Sequence, residues 1–146
     1  MVSAVLARMV VRQYKELFAW QTAEGFKLEV FRLVKDSELA QKDYKFRSQI
    51  LEAARSVPSN ITEGFLRYSP GDFMRFLDYS LASLGEAERR LHDGIQLGYF
   101  PASACQDAFK LARRCATACV RLKHSQRRYL NDPNRPPTSK RKRSGQ

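Results

Sequence analysis

Apolar residues recur at helical spacing along most of the chain. Between Tyr14 and about Lys35, the residues Leu17, Trp20, Leu28, Phe31 and Val34 follow three- and four-residue steps, and Phe18, Phe26 and Val30 broaden the stripe. Lys15, Glu16, Lys27, Arg32 and Lys35 lie mostly off it. Asp36 to Asp43 is polar and reads as a connector. A second helix is predicted roughly over Tyr44 to Phe65, on Phe46, Ile50, Ala53, Val57 and Ile61, with small Ala54, Ser56 and Ser59 beside them. Pro58 removes one backbone donor inside this pattern. Because the period continues to Ile61, a kink is the preferred reading and a break near Ser56 the alternative.

Ser69-Pro70-Gly71-Asp72 has the chemistry of a helix start: a capping hydroxyl, a proline for the first turn and a carboxylate near the positive helix end. The third helix carries Phe73, Phe76, Leu77, Leu81, Leu84, Leu91 and Ile95, and Gly98 is a natural stop. Pro101, or Ser103 with Gln106 as a capping box, opens a fourth helix that reaches about Leu130. Pro133, Pro136 and Pro137 prevent its continuation. The expected organisation is an N-terminal extension over 1–11, a four-helix bundle over 12–130 and a disordered basic tail over 131–146. The expected fold class is all-α, an antiparallel up-and-down four-helix bundle.

Composition agrees with one such domain. The 146 residues are 43% apolar, enough to bury a core, while 7 glycines and 6 prolines disfavour a turn-rich β domain. No apolar run is long enough to span a membrane. Met1 to Val11 is mildly apolar, but Arg8 interrupts it and neither a basic lead nor a cleavage site marks a signal peptide, so the cytosol is expected.

Charge changes the picture. Of a net +11, residues 99–146 hold +10, with Asp107 and Asp132 their only acids, and residues 1–98 hold +1. At about 100° per residue, Lys110, Arg113, Arg114, Arg121 and Arg128 share one side of the fourth helix with Thr117 and His124. Ala108, Leu111, Ala112, Cys115, Cys119, Leu122 and Tyr129 fall on the other side. A solvated face usually mixes signs. A stripe of one sign repels itself and suits a polyanion, with Lys140, Arg141, Lys142 and Arg143 of the tail adding flexible cations. An acidic protein surface, or mere solubility, is the alternative. Stacking on Tyr68, Tyr99 or Tyr129 is weakly signalled, because each falls at a helix end or core margin. Sequence-specific recognition is therefore not expected.

Chemistry of other kinds finds little support. Cys105, Cys115 and Cys119 lie on one helix and read as buried reduced thiols; His92 and His124 are too few to complete a zinc site with them. There is no glycine-rich phosphate loop and no Ser-His-Asp set, so no enzyme, cofactor or metal is expected.

The stretch Asp43-Tyr44-Lys45-Phe46-Arg47-Ser48-Gln49-Ile50, followed by Ala53-Ala54-Arg55-Ser56-Val57-Pro58-Ser59-Asn60-Ile61-Thr62-Glu63-Gly64, resembles the signature of the four-helix-bundle proteins of 23S ribosomal RNA intervening sequences. Trp20, Arg67, Phe73, Phe76-Leu77, Ser80-Leu81-Ala82-Ser83-Leu84 and Glu86 are similar too. Thr62 stands where alanine is commoner. The resemblance covers about residues 14 to 125 and implies a cytosolic bacterial bundle assembled as a homopentamer. It also implies kinship with the accessory variability determinant of diversity-generating retroelements, a basic pentamer that binds nucleic acid and a reverse transcriptase. Trp20, Asn60, Glu63, Gly64 and Arg67 are the signature positions expected to serve structure or assembly. A catalytic carboxylate at Glu63 lacks a partner of suitable chemistry.

Overall fold

Side-chain caps mark where several of the helices begin. Ser37 Oγ accepts from Ala40 N–H at 3.1 Å, Asp43 Oδ1 from Phe46 N–H at 3.1 Å, and Ser69 Oγ from Asp72 N–H at 3.3 Å. Each satisfies one of the orphan donors of a first turn. The computed structural model describes residues 11–67 and 69–136, and its regular elements are all helical. A 3-10 turn at Tyr14–Glu16 leads into α1 (Phe18–Asp36), short α2 (Glu38–Lys42), α3 (Tyr44–Leu66) and α4 (Pro70–Gln96). A second 3-10 turn at Ala102–Cys105 precedes α5 (Gln106–Leu130). The four long helices pack in a ring, α1 on α3, α3 on α4, α4 on α5 and α5 on α1.

Phe26, Ile50, Ile61, Leu77, Leu84 and Leu91 are fully buried within that ring, each burial contributing roughly 1.5–3 kcal/mol. Pro58 lies inside α3, which runs unbroken through it, so the break near Ser56 does not occur. Around it, the carbonyls of Ser56, Val57 and Pro58 accept side-chain donors from Asn60 (2.8 Å), Ser80 (2.8 Å) and Thr62 (3.1 Å). The Ser80 bond crosses from α4 and is buried.

Two glycines set how closely α3 and α4 approach. A Cβ on Gly64, near the end of α3, would lie 2.7 Å from Phe76 Cβ and 2.8 Å from Phe73 Cδ2, both near the start of α4. A Cβ on Gly94, near the end of α4, would lie 2.5 Å from Phe100 Cε2 and 3.0 Å from Phe46 Cζ at the start of α3. Gly98 ends α4 in the left-handed region, φ 74°. The N–H of Tyr99 reaches the Gly94 carbonyl (2.8 Å) and that of Gly98 the Ile95 carbonyl (3.1 Å), the paired bonds of a Schellman stop.

Three local expectations are corrected. The first helix starts at Phe18 rather than Tyr14, because Leu17 is extended and caps with no side chain. Its buried face is Ala19, Thr22, Ala23, Phe26, Val30, Leu33 and Val34, so Phe26, Val30 and Val34 lie inside as expected, whereas Phe18 and Leu28 are 58% and 55% exposed. Ala19 and Ala23 take inner positions that the period gives to Phe18 and Leu28. The polar connector contains α2, nucleated by the Ser37 cap and held by buried Ala40.

Candidate nucleic-acid interface

α5 is rich in Ala, Leu, Arg and Lys, all good helix formers. Asp107 in its first turn and Arg127 and Arg128 in its last suit the helix dipole. Its inner face is narrow: Ala108, Ala112, Cys115, Cys119 and Gln126 are buried. Cys115 Sγ donates to the Ala19 carbonyl at 3.7 Å, drawing α5 onto α1. The three free cysteines are buried, as their apolar role requires. Burial holds the Cys105 thiol above its usual range. Cys119 is also held up, first by donating to Cys115 and then by burial. Among the described residues, no group of three or more His, Cys, Asp or Glu side chains could hold a metal ion.

The outer face carries the cations. Lys110, Arg113, Arg114, Arg121 and Arg128 are all exposed, as are Thr117 and His124. Among the described residues none of the five cations forms an ion pair. Five cations on the other elements are paired. Arg32 pairs with Glu29 and Asp36, Lys27 with Glu24, Arg67 with Glu63, Arg75 with Asp72 and Arg90 with Glu86, each within one helix turn. On α5 only Lys123 pairs, with Asp78 of α4, and it stands off the stripe.

Arg127, also exposed, was not placed on the stripe, although it lies about 40° from Arg113 around the axis. Glu88 of α4 faces the same region. Burial raises its carboxyl above the usual range, and the charges of His92 and Arg113 partly oppose that rise. His92 stacks on Phe109 of α5, ring centroids 4.6 Å apart.

Beside the stripe, toward the start of α1, runs a groove of about 610 Å³. Leu17, Phe18, Ala118 and Leu122 line it, with Arg113, Arg114 and Arg121 also in its wall. Phe18 is an aromatic side chain that periodicity had assigned to the core. Only its position at the first residue of α1 signalled otherwise.

The signature residues separate into two places. Glu63, Gly64 and Arg67 meet near the close contact of α3 and α4. Arg67 pairs with Glu63 at 2.8 Å and lies 5.0 Å above the Phe76 ring, with Arg75 at 5.7 Å from the same ring. Asn60 bonds within its own helix. Trp20 is half-buried elsewhere, edge-on to Tyr14 at 5.4 Å. Glu63 is exposed and pairs with Arg67 one turn on. Lys140, Arg141, Lys142 and Arg143, like Tyr68, lie outside the described residues.

The family model of the 23S rRNA-intervening sequence protein matches residues 15–129. The chain belongs to that family. The matched span takes in every signature position and the α5 stripe from Lys110 to Arg128, and leaves out Lys140 to Arg143. No curated protein matches the sequence. No described helix of this 23S rRNA-intervening sequence protein is long and apolar enough to cross a membrane.

Proposed function

We propose that this 23S rRNA-intervening sequence protein is a non-enzymatic, cytoplasmic helix bundle that binds RNA or DNA electrostatically through the outer face of α5. The single observation that carries this function is the row of five exposed cations on one face of α5, Lys110, Arg113, Arg114, Arg121 and Arg128, without an ion-pair partner among the described residues. Lys27, Arg32, Arg67, Arg75 and Arg90 find acids one turn away on their own helices, whereas the α5 row concentrates five cations of one sign on a single face with no acid between them. Phosphates would release condensed counterions on meeting it. The tail residues Lys140, Arg141, Lys142 and Arg143 would extend the same attraction without reading sequence.

The close approaches of Gly64 to Phe73 and Phe76, and of Gly94 to Phe46, support an antiparallel up-and-down course for α3 and α4. Exposed Leu28, Leu39, Tyr44, Leu66 and Tyr79 offer apolar area for assembly, and a homopentamer would present five basic stripes around one ring. Light scattering is expected to give a mass near five times 16.8 kDa; a monomer removes the assembly. An alternative partner for the same face is an acidic or nucleoprotein surface such as a reverse transcriptase complex, and the cations favour it only if nucleic acid itself fails to bind.

The test is a salt series of binding to labelled RNA and DNA. Affinity should fall steeply as salt rises. Replacing Arg113, Arg114 and Arg121 by Glu should flatten the slope of log affinity against log salt by about 2.7 on duplex DNA and about 2.1 on single strands, at roughly 0.9 and 0.7 per phosphate contact. Binding that ignores salt, or is absent, overturns the proposal.

A further inference from the structure

Phosphate contacts alone do not account for the groove beside the stripe. A duplex needs only the guanidinium row, and an apolar floor contributes nothing to it. Yet Phe18 is 58% exposed and lines that floor with Leu17, Ala118 and Leu122. Its place is fixed at the first turn of α1, where its carbonyl accepts from Thr22 Oγ1 at 2.9 Å. Among the described residues no carboxylate lines the groove, and Arg114 and Arg121 stand in its wall. The occupant must therefore combine a flat apolar body with negative charge within a few ångströms of it. The groove is open on one side, and its volume of about 610 Å³ is in the range of small-molecule sites.

Resting on the nucleic-acid function above, we propose that this groove receives an unpaired nucleobase of single-stranded RNA or DNA, stacked on Phe18, while the adjoining phosphates reach Arg114 and Arg121. Every base has a π-face, so such a site tolerates sequence while rejecting a paired strand. The protein thereby prefers single strands, loops or splayed ends over duplex.

Anisotropy titrations of the full chain test this with three labelled probes: a short single-stranded oligoadenylate, an abasic strand of equal length and a duplex of equal length. Phe18→Ala is expected to weaken the oligoadenylate by about tenfold, the loss of one stacked base, and to leave the abasic strand and the duplex unchanged. Phe18→Trp should hold or tighten the oligoadenylate. Unchanged oligoadenylate affinity in Phe18→Ala, with salt-dependent binding intact, overturns the base site and leaves the electrostatic function standing; a groove built for an acidic peptide gives this same result. Equal losses on all three probes also overturn it. A change of mass in light scattering on Phe18→Ala assigns the groove to contact between copies instead. Absence of salt-dependent binding by the unaltered chain removes both proposals together.

Discussion

The contact between α3 and α4 and the outer face of α5 are built on opposite terms. In the first, residues are matched: Gly64 makes room for Phe73 and Phe76, Ser80 bonds the Val57 carbonyl, and Arg67 finds Glu63. In the second, Lys110, Arg113, Arg114, Arg121 and Arg128 are unmatched among the described residues. Matched groups specify a fold. Unmatched charges contribute nothing to folding and repel one another, so they point to something outside the chain. The positions that carry the family signature belong mostly to the matched region, which is why membership settles architecture before activity.

The two regions should come apart under mutation, and the largest stability effect belongs at Gly64. A methyl there meets Phe76 Cβ at 2.7 Å, an atom fixed to the backbone, so helices rather than side chains must move. Gly64→Ala should cost about 1–3 kcal/mol by overpacking, read as a lower midpoint in denaturant. Gly85, on α4, has nothing within 4 Å of its virtual Cβ. Gly85→Ala should instead gain roughly 0.5–1 kcal/mol, the ordinary relief of a helical glycine. Neither change should alter the salt slope of nucleic-acid binding. The triple Arg113, Arg114, Arg121→Glu variant should do the reverse, flattening the slope while the melting curve holds. A Gly64→Ala protein as stable as the unaltered chain would dissolve the distinction.

A smaller effect sharpens the matched side. Ser80 Oγ is buried and donates to Val57 at 2.8 Å. Ser80→Ala removes the bond without stranding a donor, so about 1 kcal/mol should be lost. The denaturant midpoint should shift at constant m, since the exposed surface does not change.

Much of this was legible in the residues. Ser69 and Pro70 mark the start of α4, Gly98 marks its end, and the exposed row on α5 follows from its one-sided charge, because caps, left-handed glycines and charge act locally. What escaped depends on neighbours distant in sequence. Phe18 and Leu28 look like core because they are large, yet Ala19 and Ala23 take the inner face where α5 presses close through Cys115. The Glu63–Gly64–Arg67 cluster makes sense only once Phe76 arrives from α4. The five-residue α2 was hidden by its polarity, since one capping serine and one buried alanine suffice for so short a helix.

The smallest effect lies where the end of α4 meets the start of α3. Tyr99 Oη donates to Asp43 Oδ2 at 2.6 Å, and Phe46 N–H donates to the same carboxylate. Chiefly through the Tyr99 bond, Asp43 is held below the usual carboxylate range, while Tyr99 is held above the usual phenol range by the same bond. The two shifts set opposite edges. Asp43 stabilises the fold above its unfolded value, roughly pH 4, and that contribution fades as pH falls through its lowered folded value. Tyr99 stabilises below its unfolded value, roughly pH 10, and that contribution fades as pH rises through its raised folded value. Tyr99→Phe should therefore lower the melting temperature most between these limits and converge with the unaltered protein toward pH 2. The Phe46 cap remains in the variant, so its own acid transition should persist with smaller amplitude. Melting curves that stay parallel from neutral to acid would show that the bond does not tie α3 to α4, and would leave the Gly94 contact with Phe46 and Phe100 to hold that end alone.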